Sequence, residues 1–171
     1  MWFLTQEGVD RYDGKYIKHY NFSDDSIKLD SRIALNWLYM DSGNILWVIG
    51  QKGRIFRYDS QHDKFELAYV HPELIRNKPQ AFLNYGYLDK SDRIWLCYKD
   101  SITWYDIRTG TTLHMPTPVN GEITAIEQTD DNHFFIGTGS GLFHARIEKG
   151  KLNIMPDKMM EGIGTSVHEL Y

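Results

Sequence analysis

The sequence predicts an all-β chain built from one repeated unit of four short antiparallel strands. Three observations carry this. Aromatic residues make up 14% of the 171 residues, with 11 Tyr, 8 Phe and 5 Trp, and such side chains suit pleated, half-buried strands. Short apolar runs alternate with clusters of Asp, Asn, Ser and Gly, which supply turns. One stretch also recurs: "MWFLTQEGVDRYD" from Met1, "LWVIGQKGRIFRYD" from Leu46, "IWLCYKDSITWYD" from Ile94 and the more degenerate "FFIGTGSGLFHAR" from Phe134. Its aromatic anchors, Trp2, Trp47, Trp95 and Phe135, follow one another at intervals of 45, 48 and 40 residues. That period belongs to the blades of a β-propeller. The expected fold is therefore all-β, a β-propeller of four-stranded antiparallel blades, with about four blades or a fragment of a larger ring.

Taken in order, residues 1–20 supply strands two to four of a blade, ending in the polar outer strand "KYIKHY". Residues 32–70 form a full blade. Its inner strand runs in "IALNWLYMDSGN", its anchor strand in "NILWVIG", its third strand ends at Tyr58-Asp59, and "KFELAY" lies outermost. In "NILWVIG", Ile45, Trp47 and Ile49 share one face and Leu46 and Val48 the other, so the strand is covered on both sides, as a blade between two others is. Residues 80–116 repeat the plan from "AFLNYGYLDKSD" to "TTLHMP", and residues 121–155 repeat it from "EITAIEQTDDN". Residues 163–171 read as one more inner strand, which completes the first blade and brings the number to four. The segment "HPELIRNKPQ", 71–80, has room for one helical turn between Pro72 and Pro79.

Composition removes several functions. The net charge is -4 and the 19 basic residues form no block, so no nucleic-acid partner is expected. A lone cysteine, Cys97, cannot staple a fold. No run approaches the roughly 20 apolar residues of a membrane span, so no membrane contact is expected from this segment. The opening "MWFLTQEGVD" lacks the basic region and cleavage site of a signal peptide, and the chain as given reads as soluble.

At the repeated residues the chain resembles the two-component regulator propeller repeat, whose pattern is D-x-x-G-x-[IL]-W-x-G-T-x-x-G-[LV]-x-R-[YF]-D. The first copy matches at Trp2, Thr5, Gly8, Val9, Arg11, Tyr12 and Asp13. The second matches at Asp41, Gly43, Ile45, Trp47, Arg57, Tyr58 and Asp59, and the third at Asp89, Ile94, Trp95, Tyr105 and Asp106. The fourth keeps Asp130, Gly137, Thr138, Gly141 and Leu142. The resemblance implies a periplasmic sensor region of a hybrid two-component system of gut Bacteroidetes, a receptor for oligosaccharides outside an inner-membrane histidine kinase. The further blades, the β-sandwich domain and the kinase of that family are absent from this sequence, so it implies no enzyme activity here.

Candidate sites follow. "GTGSG", 137–141, has the glycines of a phosphate loop, but "LFHARI" follows it as a strand, and an anion cradle needs a helix there. It reads as a hairpin turn. "TSVHEL", 165–170, is faintly similar to a kinase phosphoacceptor box, yet its register is that of an inner strand. No histidine pair has a zinc-site spacing, "DSGN" and "TDDN" match no calcium loop, and Cys97 reads as a buried, inert thiol. Neither metal nor cofactor is expected, nor is any catalytic residue.

A ligand would meet the turns between strands two and three, where Gln6, Gln51, Lys52, Lys99 and Ser140 offer hydrogen bonds to sugar hydroxyls and Tyr98 offers a stacking ring. The expected partners are an oligosaccharide ligand, and either a second copy or further blades. Two alternatives remain: a propeller lyase resembling streptogramin lyases, with His133 or His144 as its histidine, and a pure oligomerisation module.

Overall fold

The computed structural model describes residues 1–22, 34–72, 82–117, 119 and 121–156. The chain divides into two compact units, Met1–Ala81 and Phe82–Tyr171. The segment 163–171 and nearly all of 71–80 lie outside the described residues.

In the first unit, β1 (Trp2–Leu4), β2 (Val9–Tyr12) and β3 (Ile17–Tyr20) make a three-stranded sheet. Next come β4 (Leu35–Met40), β5 (Leu46–Gly50), β6 (Ile55–Asp59) and β7 (Lys64–Tyr69), a four-stranded sheet in sequence order. The second unit holds two four-stranded sheets. One runs β8 (Leu83–Leu88), β9 (Arg93–Tyr98), β10 (Ser101–Asp106), β11 (Thr112–Pro116). The other runs β12 (Ile123–Asp130), β13 (His133–Thr138), β14 (Gly141–Glu148), β15 (Lys151–Pro156). Every neighbouring pair is antiparallel. We refer to them as sheets 1 to 4.

Burial follows the apolar pattern. All five residues of β5 are buried, as the double-faced run "LWVIG" requires. The outer strands β3, β7 and β11 are mostly exposed, and their Lys, His, Glu and Thr blunt what would be a pairing edge. In unit 1 the core joins Val9, Tyr20, Phe22, Val48 and Phe56, with Trp2, Leu4, Tyr58 and Phe65 against it. In unit 2 it joins Trp95, Cys97, Ile102 and Trp104 of sheet 3 to Ile123, Ile126, Phe134, Ile136, Ala145 and Ile147 of sheet 4.

The register aligns the four anchors. Trp2 pairs with Arg11, Trp47 with Arg57, Trp95 with Trp104 and Phe135 with His144. The fourth copy departs from its siblings here. Phe135 is only half-buried, and its neighbour Phe134 is the fully enclosed aromatic. Trp95 packs on Phe134 with ring centroids 4.8 Å apart.

Candidate functional site

Most of the repeated motif builds turns. Asp41 Oδ1 accepts the backbone N–H of Gly43 (2.9 Å) and Ile45 (2.8 Å), and its Oδ2 accepts the Trp47 indole N–H at 2.8 Å. Asp89 repeats this with Ser91, Arg93 and the Trp95 indole, and also holds Arg93 Nε at 2.7 Å. One carboxylate thus closes the turn before the anchor strand and fixes the anchor's rotamer. At the turn's third residue after the Asp, Asn44 and Asp92 take φ values of 61° and 59°, a left-handed conformation that Asn and Asp tolerate best after Gly. In sheet 4 the corresponding acid, Asp130, accepts the N–H of Asn132 and His133 and contacts His133 Nδ1 at 2.7 Å, so its side-chain partner is a turn histidine, while Phe135 at the anchor register has no side-chain N–H to offer.

The Tyr-Asp ending has the same kind of role. Asp13 Oδ1 accepts the N–H of Lys15 and Tyr16, Asp59 Oδ1 that of Gln61, and Asp106 Oδ1 that of Arg108 and Thr109. Each closes the hairpin to the outer strand, and β6 ends at Tyr58-Asp59 as expected.

Among the described residues, the densest polar cluster lies in unit 1, where sheet 1 meets sheet 2. Asp63 accepts from Arg11 Nη1 (3.0 Å), Lys18 Nζ (2.5 Å), Tyr20 OH (2.6 Å) and Tyr58 OH (2.5 Å). Arg11 Nη1 also donates to the Tyr58 hydroxyl at 2.7 Å, and its guanidinium sits over the rings of Trp2 and Tyr20. The bond from Lys18, followed by those from the two tyrosines, holds the Asp63 carboxyl well below the usual carboxylate range. Burial, then the bond to Asp63, pushes both the Tyr20 and the Tyr58 phenols up. With four donors from sheets 1 and 2 converging on one carboxylate, the cluster is a clasp between sheets.

The expected ligand contacts fall on one kind of turn. Gln6 is exposed in the β1–β2 turn, closed by the Thr5 hydroxyl, which donates to the Gly8 carbonyl and accepts the Gly8 N–H at 3.1 Å each. Gly8 must be glycine, because a Cβ there would lie 2.2 Å from the Tyr20 carbonyl oxygen. Gln51 is exposed and Lys52 half-buried in the β5–β6 turn. In unit 2, Lys99 is exposed between β9 and β10, and Ser140 is exposed between β13 and β14, its N–H bonded to Thr138 Oγ1 at 3.1 Å. The loop 137–141 leads into β14, a strand.

One expectation is corrected: Tyr98 is only 5% exposed, so its ring offers no open face to a sugar. It ends β9 inside the apolar run "IWLCY", which buries it together with Cys97. Burial likewise pushes the Cys97 thiol up, out of reach of thiolate chemistry at neutral pH.

Sequence reading gave no hint that His133 and His144 meet. Their rings stack with centroids 5.8 Å apart, and His144 stacks on Phe135 at 5.2 Å. The signal was available in the hairpin register, which pairs His133 with Arg146 and Phe135 with His144 and so puts the three rings on one face.

No protein-family model matches the chain, and no curated protein matches it. Solved structures do. The extracellular domain assigned to the hybrid two-component system BT3049 of B. thetaiotaomicron is 21% identical, with a TM-score of 0.65 over 90% of this chain and 23% of its own. The extracellular domain assigned to BT4673 of the same organism is 16% identical, with a TM-score of 0.69 over 99% of this chain and 23% of its own. Virginiamycin B lyase from Staphylococcus aureus is 17% identical, with a TM-score of 0.65 over 92% of this chain and 52% of its own. The chain therefore spans less than a quarter of either extracellular domain and about half of the lyase. The β-propeller fold is shared with all three.

Proposed function

We propose that this chain is a non-catalytic β-propeller segment of a two-component sensor, placed in the periplasm, that binds or relays a signal from an extracellular oligosaccharide. The observation that carries the reading is the match to two extracellular sensor domains over 90% and 99% of the chain. The first is at 21% identity. It is supported by the fate of the motif residues. Asp41, Asp89, Trp47, Trp95, Asp13, Asp59 and Asp106 are all occupied in holding turns and anchors. The residues proposed to meet a ligand stand on other turns, those carrying Gln6, Gln51, Lys52, Lys99 and Ser140.

A thermal-shift screen of plant and host oligosaccharides tests it. At least one sugar raises the melting temperature, and Gln51→Ala reduces that shift while leaving the sugar-free melt in place. Silence across the whole set overturns the reading.

A second reading, a lyase, is favoured by one observation. His133 is held by Asp130 and stacked on His144, an arrangement in which a carboxylate orients an imidazole as general-base catalysis requires. Incubation with virginiamycin B decides it: turnover lost in His133→Ala and His144→Ala supports the lyase, and no turnover in the parent chain removes it.

A further inference from the structure

We propose that this protein associates head to tail with a second copy of itself, the β13–β14 face of sheet 4 seating on the outer face of sheet 1. The inference is independent of the sensor reading. It starts from how sheets join within each unit. In unit 1 the anchor face of sheet 1 packs on the opposite face of sheet 2, with Trp2 at 4.8 Å from Tyr58 and 6.0 Å from Phe65. In unit 2 the anchor face of sheet 3 packs on sheet 4 in the same sense, Trp95 against Phe134.

Sheet 1 has a second face, set by its register. Phe3, Asp10 and His19 lie across one row and Tyr12 and Ile17 across the next. These occupy the places that Val48, Phe56, Leu67, Tyr58 and Phe65 hold in sheet 2. In sheet 2 that face receives Trp2. In sheet 1, Ile17 and Phe3 on that face are 69% and 40% exposed.

The anchor face of sheet 4 is the counterpart. Phe135 stands at the register of Trp2, His144 at that of Arg11 and Leu142 at that of Val9, and all three are half-buried. The junction in unit 1 then gives the contacts. Phe135 seats against Tyr12 and Ile17 as Trp2 does against Tyr58 and Phe65, and His144 donates to the Tyr12 hydroxyl as Arg11 does to Tyr58. The Tyr12 hydroxyl spends its proton on the Gly14 carbonyl at 2.8 Å and so presents lone pairs. Asp10 and His19, paired at 2.5 Å, replace Phe56 and Leu67, so this junction is less apolar than the one in unit 1 and its association is reversible. Because the two faces differ, the contact is heterologous and builds closed rings or open arrays.

Sedimentation velocity over a concentration series tests this with four samples: the parent chain, Ile17→Asp, Phe135→Asp and an equimolar mixture of the two variants. The parent associates, each variant alone is monomeric, and the mixture forms a capped one-to-one dimer through the one intact face of each. A monomeric parent, single variants that still associate, or a mixture that stays monomeric each overturns the proposal. Circular dichroism checks that the variants are folded. If Phe135→Asp is not, His144→Asp on the same face takes its place, with the same outcomes expected.

Discussion

The two described sheet junctions use one backbone plan and opposite chemistry. In unit 1, Arg11 faces Trp2 across the hairpin and reaches Asp63 of the next sheet, with Lys18, Tyr20 and Tyr58 converging on the same carboxylate. In unit 2 the residue at the place of Arg11 is Trp104, which packs on Trp95 with centroids 5.0 Å apart. Across that junction, Ala145 and Ile154 of sheet 4 stand where Tyr58 and Phe65 stand in sheet 2, and both join the apolar cluster, so the Tyr58 hydroxyl that receives Arg11 has no counterpart there. The repeat thus fixes the strands, the turn acids and the anchor. The residue opposite the anchor then selects a charged clasp or an apolar seam.

That contrast sets the order of effects. The seam is buried, whereas the clasp is half exposed, with 38% of the Asp63 side chain and 33% of that of Arg11 accessible. Exposed ion pairs contribute little, because water screens them. The largest loss is therefore expected from Trp95→Ala. It removes a fully buried indole packed on Trp104 and Phe134, and large aromatic-to-Ala changes in cores cost about 3–5 kcal/mol. Urea denaturation measures it, and a loss below about 1 kcal/mol would contradict a seam-dominated unit 2.

Asp89→Ala comes next. It strands the Trp95 indole and the N–H groups of Ser91 and Arg93, at about 1–3 kcal/mol for donors left buried without partners. The same change at Asp41 costs less. Its bond set is similar, but the Asp89 side chain is fully enclosed and Asp41 is half exposed. Equal losses at the two sites would break the distinction.

The sequence made the blade plan readable because its period, turn acids and Trp-to-Tyr-Asp spacing are local. Asp13, Asp59 and Asp106 close hairpins two or three residues away, so their role follows from neighbours in the chain. Non-local partners were not readable. Asp63 lies 52 residues from Arg11 and 45 from Lys18, and no motif marks it. The buried state of Tyr98 was missed for a related reason. A residue at a strand end next to a polar turn reads as part of the turn, while its side chain follows the apolar alternation of "IWLCY" into the interior. Phe135 was the right anchor by register, yet the identity of the buried aromatic, Phe134, depends on which face the neighbouring sheet covers.

The smallest expected effect is also the one that isolates the clasp, namely acid sensitivity removed by Asp63→Asn. The folded-state pKa of Asp63 is depressed by Lys18 and the two tyrosine hydroxyls. A carboxylate depressed in the folded state adds stability that is complete above its unfolded value, about 3.9, and is lost as pH falls from there through the lower folded value. The asparagine retains an oxygen acceptor and has no charge to titrate. The parent should therefore exceed Asp63→Asn in urea midpoint at pH 7 and pH 5, and the gap should narrow as pH drops below about 4. Added salt narrows it at neutral pH too, because the contacts from Arg11 and Lys18 are partly exposed. A gap that stays constant from pH 7 to pH 3 would mean that hydrogen bonding alone, without the charge, joins sheet 1 to sheet 2. The contrast between the two junctions would then reduce to one of polarity.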